Sequence, residues 1–388
     1  MSIRVLIIDD SALVRNMLKR ILEQDPQIEV VGSAADAYIA REKIKKLHPD
    51  VLTLDVEMPK MNGIAFLKNL MRLHPLPVVM VSSLTTKGAE VTLEALELGA
   101  IDFVSKPQGD FAASLEEVSQ EIIRKVKMAA RANIRAARKH PAVSLSVEEK
   151  QSVDAIIPSG SAKPLAAGLP PLIAIGASTG GTEAIRDVLV ELPEDMPAMV
   201  ITQHIPPGFS TAFAQRMNRL SRLLVHEARD GQRIEPGNVY IAPGAYHLLV
   251  ARNNSGYYCK LSDGPRVNRH KPSVDVLFRS VAQIAGKKAT GVILTGMGDD
   301  GARSLLEMRE AGARTIAQDE DSSVVWGMPG AAVKRGAAEQ ILALEKIPPA
   351  LVYMQDASRR TGSSQPRVQQ LHAAPTADFL DQQQRRTR

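Results

Sequence analysis

The chain has 388 residues, 44% hydrophobic and 23% charged, which is typical of a soluble globular protein with two or three domains. No apolar run approaches the roughly 18 residues that span a bilayer, and the N-terminus enters a strand-like run, so we expect a cytoplasmic protein without membrane insertion. The single cysteine, Cys259, excludes an intramolecular disulfide and a multi-cysteine metal site.

The net charge of +5 lies outside the predicted domains. Residues 124–169 contain nine Lys and Arg against three Asp and Glu, and residues 356–388 contain six Arg against three Asp. The remainder of the chain therefore has a net charge of −4. Because the folded parts are not basic, we expect no nucleic-acid partner.

The first part of the chain alternates short apolar runs with segments of helical period. The strand-like runs are "IRVLIID", "IEVVGSA", "DVLTLDV", "PVVMVSS" and "DFVSKP". Strands and helices in alternation are typical of a parallel sheet covered by helices on both faces. We place this domain at residues 1–125.

Residues 126–168 are rich in Ala, Ser, Pro and charge and show no sustained period, which predicts a flexible linker. A second strand and helix alternation covers residues 169–354, and its short runs near 238–262 are predicted to form antiparallel hairpins. Residues 355–388, rich in Gln, Arg and Ser, are predicted to be a disordered tail. The fold class is therefore α/β, with two doubly wound parallel-sheet domains joined by a linker.

Charged residues follow several strands of the first domain. Asp9 and Asp10 close the first strand, Asp55 closes the third, and Lys106 follows the fifth. The carboxyl ends of parallel strands share one rim, so these groups are expected to converge. Carboxylate oxygens in a small negative pocket suit Mg²⁺, and a carboxylate beside that metal can accept a phosphoryl group.

Residues 3–107 closely resemble the receiver domain of two-component response regulators, which implies a flavodoxin-like fold. The resemblance implies that Asp55 is the phosphoacceptor. It also implies that Asp9 and Asp10 hold Mg²⁺ together with Asp55 and the carbonyl group of Glu57.

The same resemblance assigns three residues to the switch that responds to phosphorylation. Ser82 resembles the hydroxyl switch residue, and Phe103 resembles the aromatic residue that changes rotamer. Lys106 resembles the lysine of the phosphorylation site.

The second domain opens with the glycine-rich turn "GASTGG" at residues 176–181. It fits the G-x-S-x-G pattern, in which glycines permit a sharp turn that exposes a nucleophile, here Ser178. The pattern is short and also fits a simple turn with a capping Ser or Thr. A dinucleotide fingerprint or a P-loop would need a middle glycine or a lysine that this turn lacks.

A serine nucleophile needs a base and a carboxylate that orients the base. His204 directly follows the apolar run "AMVITQ", and His270 in "RVNRHKPSVD" is a competing base. The carboxylate comes from "GVILTGMGDDGA", where Asp299 and Asp300 could each also cap the following helix. Groups that follow strands of one parallel sheet are expected at the same edge.

The chain order Ser, His, Asp disfavours the α/β-hydrolase fold. Residues 172 to about 350, with "GASTGG", "ITQHIPPGF", "IAPGAYH", "NRHKPSVDVLF" and "ILTGMGDDGA", resemble the catalytic domain of the chemotaxis protein-glutamate methylesterases (CheB type). The resemblance implies that Ser178 is the nucleophile, His204 the general base and Asp300 the orienting carboxylate. It also implies that the backbone N–H of Met297 is an oxyanion donor, together with one near Ser178.

This resemblance implies a hydrolase that demethylates glutamate methyl esters on the cytoplasmic domains of chemoreceptors and deamidates specific receptor glutamines, with no cofactor in the esterase step. A chemotaxis histidine kinase would be the phosphodonor, and phosphorylation would move the receiver off the catalytic face. We expect a monomer. The alternative is a response regulator with a non-catalytic DNA- or protein-binding output domain, and a DNA-binding output would require a basic recognition helix.

Overall fold

The computed structural model describes residues 2–58, 61–82, 86–106, 112–132, 151–160 and 169–362. The first domain is one sheet of five parallel strands in the order β2-β1-β3-β4-β5. Its strands are β1 (Ile3–Ile8), β2 (Ile28–Ala34), β3 (Val51–Asp55), β4 (Val78–Ser82) and β5 (Asp102–Ser105). Its helices are α1 (Ala12–Leu22), α2 (Ala37–Leu47), α3 (Gly63–Leu73), α4 (Thr86–Glu97) and α5 (Ala112–Ala129).

Local capping explains where the first three helices begin. Ser11, Asp36 and Asn62 lie just before α1, α2 and α3, and each side chain accepts a hydrogen bond from a backbone N–H in the first turn. Every residue of β3 and β4 is buried, as expected for central strands covered on both faces. Asp9, directly after β1, and Asp55, the last residue of β3, therefore lie at the carboxyl edge of the sheet.

The second domain has a sheet of seven parallel strands in the order β14-β13-β12-β6-β7-β9-β8 and a separate antiparallel hairpin of β10 and β11. Its strands are β6 (Leu172–Ala177), β7 (Ala198–Gln203), β8 (Leu224–Glu227), β9 (Asn238–Ile241), β10 (His247–Asn253), β11 (Gly256–Ser262), β12 (Ala289–Ile293), β13 (Arg314–Gln318) and β14 (Gln340–Leu342). Its helices are α6 (Gly181–Glu191), α7 (Phe209–Leu220), α8 (Val274–Ala285), α9 (Ala302–Glu310), α10 (Met328–Lys334) and α11 (Ile347–Gly362).

The predicted α/β class with two parallel sheets and a hairpin is confirmed. One detail of the prediction is wrong. Strand β9 lies in the region that was predicted to form antiparallel hairpins. It pairs in parallel with β7 and β8 and so extends the main sheet, and only β10 and β11 form a hairpin.

Two helices extend past the domain boundaries that we predicted from the composition. Helix α5 continues to Ala129, past the start of the predicted linker, and α11 continues past residue 354 to Gly362. Within the predicted linker, residues 151–160 are described and contain a short 3₁₀ turn at Val153–Ala155. The rest of that linker from residue 133 onward, and the tail from residue 363, lie outside the described residues. Among the described helices, none is long and apolar enough to cross a membrane.

Candidate active site

The turn between β6 and α6 requires its glycines. Gly180 has φ +73°, and a Cβ on Gly181 would lie 2.2 Å from the Gln203 Oε1 atom and 2.7 Å from the Ala177 Cβ atom. The chain can therefore leave β6 and enter α6 within three residues. This tight turn places Ser178 at the carboxyl edge of the sheet.

Three of the predicted residues converge at this edge. The Ser178 Oγ atom lies 3.0 Å from His204 Nδ1, and His204 Nε2 lies 2.8 Å from Asp300 Oδ2. His204 follows β7, which pairs with β6, and Asp300 follows β12 on the other side of β6. With Nε2 protonated toward Asp300, Nδ1 can accept the serine proton.

Asp300 is nearly inaccessible, with 1% of its surface exposed, and is held by several donors. Besides His204, the carboxylate accepts hydrogen bonds from Asn268 Nδ2 at 2.8 Å, Ser273 Oγ at 2.8 Å and the Val274 N–H at 2.7 Å. Burial alone would raise the pKa of Asp300, but the hydrogen bond and charge of His204, with His270 and Asn268, hold that pKa well below its usual range. The group stays ionised and can stabilise a protonated His204.

The competing residues take other positions. The His270 ring stacks on the His204 ring with centroids 3.7 Å apart, and burial, followed by the proximity of His204, lowers the pKa of His270 well below its usual value. His270 thus packs against the ring that reaches Ser178. The backbone carbonyl of Asp299 accepts from the Ala302 N–H at the start of α9.

The loop after β12 passes close to the nucleophile. A Cβ on Gly296 would lie 2.8 Å from the Ser178 Cβ atom and 2.4 Å from the Met328 Sδ atom, so only glycine allows this approach. The next N–H belongs to Met297, which donates to none of the described residues. The Ser178 N–H donates to the Thr295 carbonyl at 3.0 Å, so it is not free to act as the second oxyanion donor.

Residues that the sequence reasoning missed support these groups. Gln203 Nε2 donates to the carbonyl groups of both Ser178, at 2.8 Å, and His204, at 3.2 Å. Asn268 and Ser273 bind Asp300 and lie in the stretch that was examined only for His270. The available signal was a polar residue within three positions of a candidate histidine in the chain.

A second cluster lies at the carboxyl edge of the first sheet. Carboxylate oxygens of Asp9, Asp10 and Asp55 all lie within 4.8 Å of one another, which is a donor set that suits Mg²⁺. The Lys106 Nζ atom lies 2.8 Å from Asp55 Oδ2 and 3.2 Å from Asp9 Oδ2. Burial raises the pKa of Asp55 to about 6 against the opposing hydrogen bond from Lys106, and the Glu57 N–H also donates to this carboxylate.

The predicted switch residues lie beside this cluster and at the contact between the domains. Ser82 ends β4 with 1% of its surface exposed. The Phe103 ring in β5 stacks on Phe209 in α7, with centroids 4.6 Å apart. Beside it, Asp102 Oδ2 accepts a 2.5 Å hydrogen bond from the hydroxyl group of Thr179, the residue after Ser178. The first domain therefore contacts the second directly at the nucleophile turn.

Comparison with known proteins identifies the family of each domain. Residues 5–116 match the response regulator receiver domain, and residues 173–351 match CheB methylesterase. A protein-glutamate methylesterase/protein-glutamine glutaminase of Hydrogenovibrio crunogenus is 56% identical over 364 residues, covering 89% of this chain and 97% of that protein. The corresponding protein 1 of Xanthomonas campestris pv. campestris is 58% identical over 357 residues, covering 92% of this chain and 98% of its own. The chain belongs to the CheB methylesterase family.

Membership of the CheB family confirms the resemblance inferred from the motifs of both domains. A DNA- or protein-binding output domain in place of a catalytic one is not favoured. A receiver domain in general implies a phosphorylation site that depends on Mg²⁺, and a CheB protein in general implies a receptor substrate and a kinase as phosphodonor.

Proposed function

We propose that this protein hydrolyses glutamate methyl esters on the cytoplasmic domains of chemoreceptors and deamidates specific receptor glutamines. The names of its relatives support this substrate class. The observation that carries the proposal is the continuous hydrogen-bonded chain from Ser178 through His204 to buried Asp300. We also propose that the protein acts in the cytoplasm, where these receptor domains lie, and that it acts as a monomer.

The esterase reaction follows from these contacts. Ser178 Oγ attacks the ester carbonyl carbon as its proton moves to His204 Nδ1, and the imidazolium is stabilised through Nε2 by Asp300. The Met297 N–H donates to the oxyanion of the tetrahedral intermediate. Methanol leaves with the proton from His204, and water then hydrolyses the acyl-enzyme by the same proton transfers. With a glutamine substrate the leaving group is ammonia, and the chemistry uses only protein groups and water.

We propose that Asp55 is phosphorylated by a chemotaxis histidine kinase. Asp9, Asp10 and Asp55 would hold Mg²⁺ with the carbonyl of Glu57, and the ion would supply positive charge that neutralises the phosphoryl oxygens. Lys106 would pair with the same oxygens.

We propose that the receiver domain inhibits the triad until it is phosphorylated. Ser82 and Phe103 would respond to the phosphoryl group, and because Phe103 stacks on Phe209, a change of its rotamer would alter the domain contact. A shift of a few kcal/mol between closed and open arrangements is sufficient.

The nucleophile is tested by methanol release from methylated receptor membranes. We expect Ser178→Ala to lower the rate by about 10⁴-fold or more, because the covalent route is lost. A matched control is Ser255→Ala, in the exposed turn of the β10–β11 hairpin, which should match the wild type. Equal release by wild type and Ser178→Ala would overturn the assignment.

A further inference from the structure

We propose that Asn268 is a positioning residue of the triad, whose side-chain amide orients Asp300 by bridging it to a second buried carboxyl group, Asp275. This inference rests on the triad proposed above. Asn268 touches neither Ser178 nor His204 in the hydrogen-bond network of the described residues, so it would act through Asp300 alone.

The bridge uses both hydrogens of one amide group. Asn268 Nδ2 donates to Asp300 Oδ1 at 2.8 Å and to Asp275 Oδ2 at 2.6 Å. The other oxygen of Asp300, Oδ2, is the one that faces His204 Nε2. By holding Oδ1, Asn268 limits rotation of the carboxylate and keeps Oδ2 directed at the imidazole ring.

The two carboxyl groups also connect helices α8 and α9. Asp300 precedes α9 but accepts from the Val274 N–H, at the start of α8. Asp275 is the second residue of α8 and accepts from the Ser304 N–H in the first turn of α9, at 2.8 Å. Each helix is thus capped by a carboxyl group from the start of the other. Since Asn268 joins the two caps, its amide couples the position of Asp300 to both helices.

The backbone around Asn268 is built to aim this amide. Asn268 and Arg269 have φ of 49° and 70°, in the left-handed region that Asn tolerates better than most residues. Paired backbone hydrogen bonds between Val267 and His270 close the turn, and the Asn268 N–H donates to the Gln151 carbonyl at 3.0 Å. The same turn presents the His270 ring that stacks on His204.

The chemistry of the site favours an uncharged double donor at this position. Both neighbours accept through carboxyl oxygens and are almost fully buried, with 3% of Asp275 and 1% of Asp300 exposed. Burial and the charge of Asp300 raise the pKa of Asp275 to about 7, which shows how closely the two groups interact. An Asp at position 268 would add a third carboxyl group without supplying two hydrogens.

The test uses the full-length protein and Asn268→Gly, because glycine accepts the left-handed backbone and removes the side chain that carries the amide. With methylated receptor membranes, we expect kcat for methanol release to fall by about 10- to 100-fold, while KM changes by less than about twofold. Asn268→Asp should be at least as impaired. The matched control is Asn238→Ala, which removes a different asparagine amide, one bonded to His226, and should retain wild-type kcat.

A second readout separates orientation from general stability. The proton on His204 Nε2 should give a far-downfield NMR signal in wild type and Ser178→Ala that is missing in Asp300→Asn. In Asn268→Gly we expect this signal to shift or broaden, and in Asn238→Ala to stay unchanged.

The outcomes are distinguishable. Unchanged kcat and an unchanged signal in Asn268→Gly, with Ser178→Ala inactive, would refute the role of Asn268 and leave the triad intact. A lower kcat with an unchanged signal would also refute it, since the His204–Asp300 pair would then be undisturbed. An active Ser178→Ala would remove the triad on which the inference rests.

Discussion

At the scale of single residues, the orientation of His204 results from several weak constraints acting together. The backbone N–H of His204 donates to the Ala177 carbonyl at 3.1 Å, and the backbone carbonyl of His204 accepts from Gln203 Nε2. The His204 ring stacks on the His270 ring. Asp300 fixes the far nitrogen of the ring. The Nδ1 atom of the imidazole is therefore already directed at Ser178 Oγ, which lowers the entropic cost of the proton transfer.

His247 is another buried histidine whose neutral form the fold requires. Its Nε2–H donates to the Pro265 carbonyl at 2.9 Å, and its Nδ1 accepts from the Ser273 N–H at 3.2 Å. Burial lowers the pKa of His247, because a second ring proton would meet the Ser273 N–H and has little water to solvate it.

We predict that His247 makes stability depend on pH. Below its ordinary pKa of about 6.5 the unfolded chain binds a proton that the folded protein excludes, so stability should fall as the pH decreases through that value. In His247→Gln the unfolding midpoint, measured by calorimetry, should therefore drop less between about pH 7.5 and about pH 5.5 than in the wild type. The raised pKa of Asp275 has the opposite effect, because it makes the folded protein more stable as the pH decreases. Asp275 is present in both proteins, so its contribution largely cancels in the comparison. Equal drops in the two proteins would contradict the prediction.

At the scale of elements, residues 151–158 are a docked segment within a region whose composition predicts a linker. Val153 packs with Val267 and Val276 in a small core cluster. Arg279 in α8, 1% exposed, contacts Asp154 Oδ1 at 2.5 Å and donates to the Ile157 carbonyl at 3.0 Å. The segment thus completes the solvation of a buried guanidinium group.

We predict that Asp154→Ala destabilises the catalytic domain by about 1–2 kcal/mol, less than for a fully buried pair because Asp154 is half-exposed and Glu307 still binds Arg279. Urea unfolding measures this value. The control is Asp263→Ala, which removes the exposed partner of Lys271 and should leave the stability nearly unchanged. Equal effects of the two substitutions would show that the segment adds nothing.

The contacts of Val153 and Asp154 predict that the stability of a catalytic fragment depends on its first residue. A fragment that starts at residue 151 keeps Asp154 and Val153, whereas one that starts at 166 loses both. We predict a lower thermal midpoint for the shorter fragment, by several degrees for a loss of about 1–2 kcal/mol. Identical midpoints would argue against docking.

At the scale of the whole molecule, described residues of the receiver contact the catalytic domain through aromatic, hydrogen-bonded and charged pairs. Phe103 stacks on Phe209, Asp102 accepts from Thr179, and Glu97 at the end of α4 pairs with Arg186 and Arg216. Because Thr179 directly follows Ser178, we expect a receiver in this position to restrict access to the nucleophile.

We predict that loosening this contact raises basal methylesterase activity. A fragment that starts at residue 151 should release methanol faster than the unphosphorylated full-length protein. Glu97→Gln should raise the full-length rate a few-fold, as expected for a weakened, partly exposed ion pair. Glu42→Gln, which removes an exposed pair within α2, is the control and should not change the rate. An unchanged or lower rate in a correctly folded fragment would contradict inhibition by the receiver.

The sequence by itself determined the two parallel sheets and the edges where chemistry is placed. Alternating apolar runs predict strand and helix order, and the carboxyl ends of parallel strands must meet. The convergence of Ser178 with His204, and of Asp55 with Lys106, therefore follows from their positions at or just after the ends of strands.

Only the tertiary structure decided which of several candidates touch. In the folded chain His204 rather than His270 contacts Ser178, and Asp300 rather than Asp299 contacts His204. Asn268 lies between two buried carboxyl groups, and part of the predicted linker packs on the catalytic domain. These outcomes depend on side-chain contacts between segments far apart in the chain. Local periodicity carries no information about such contacts, because it reports only which face of an element is buried.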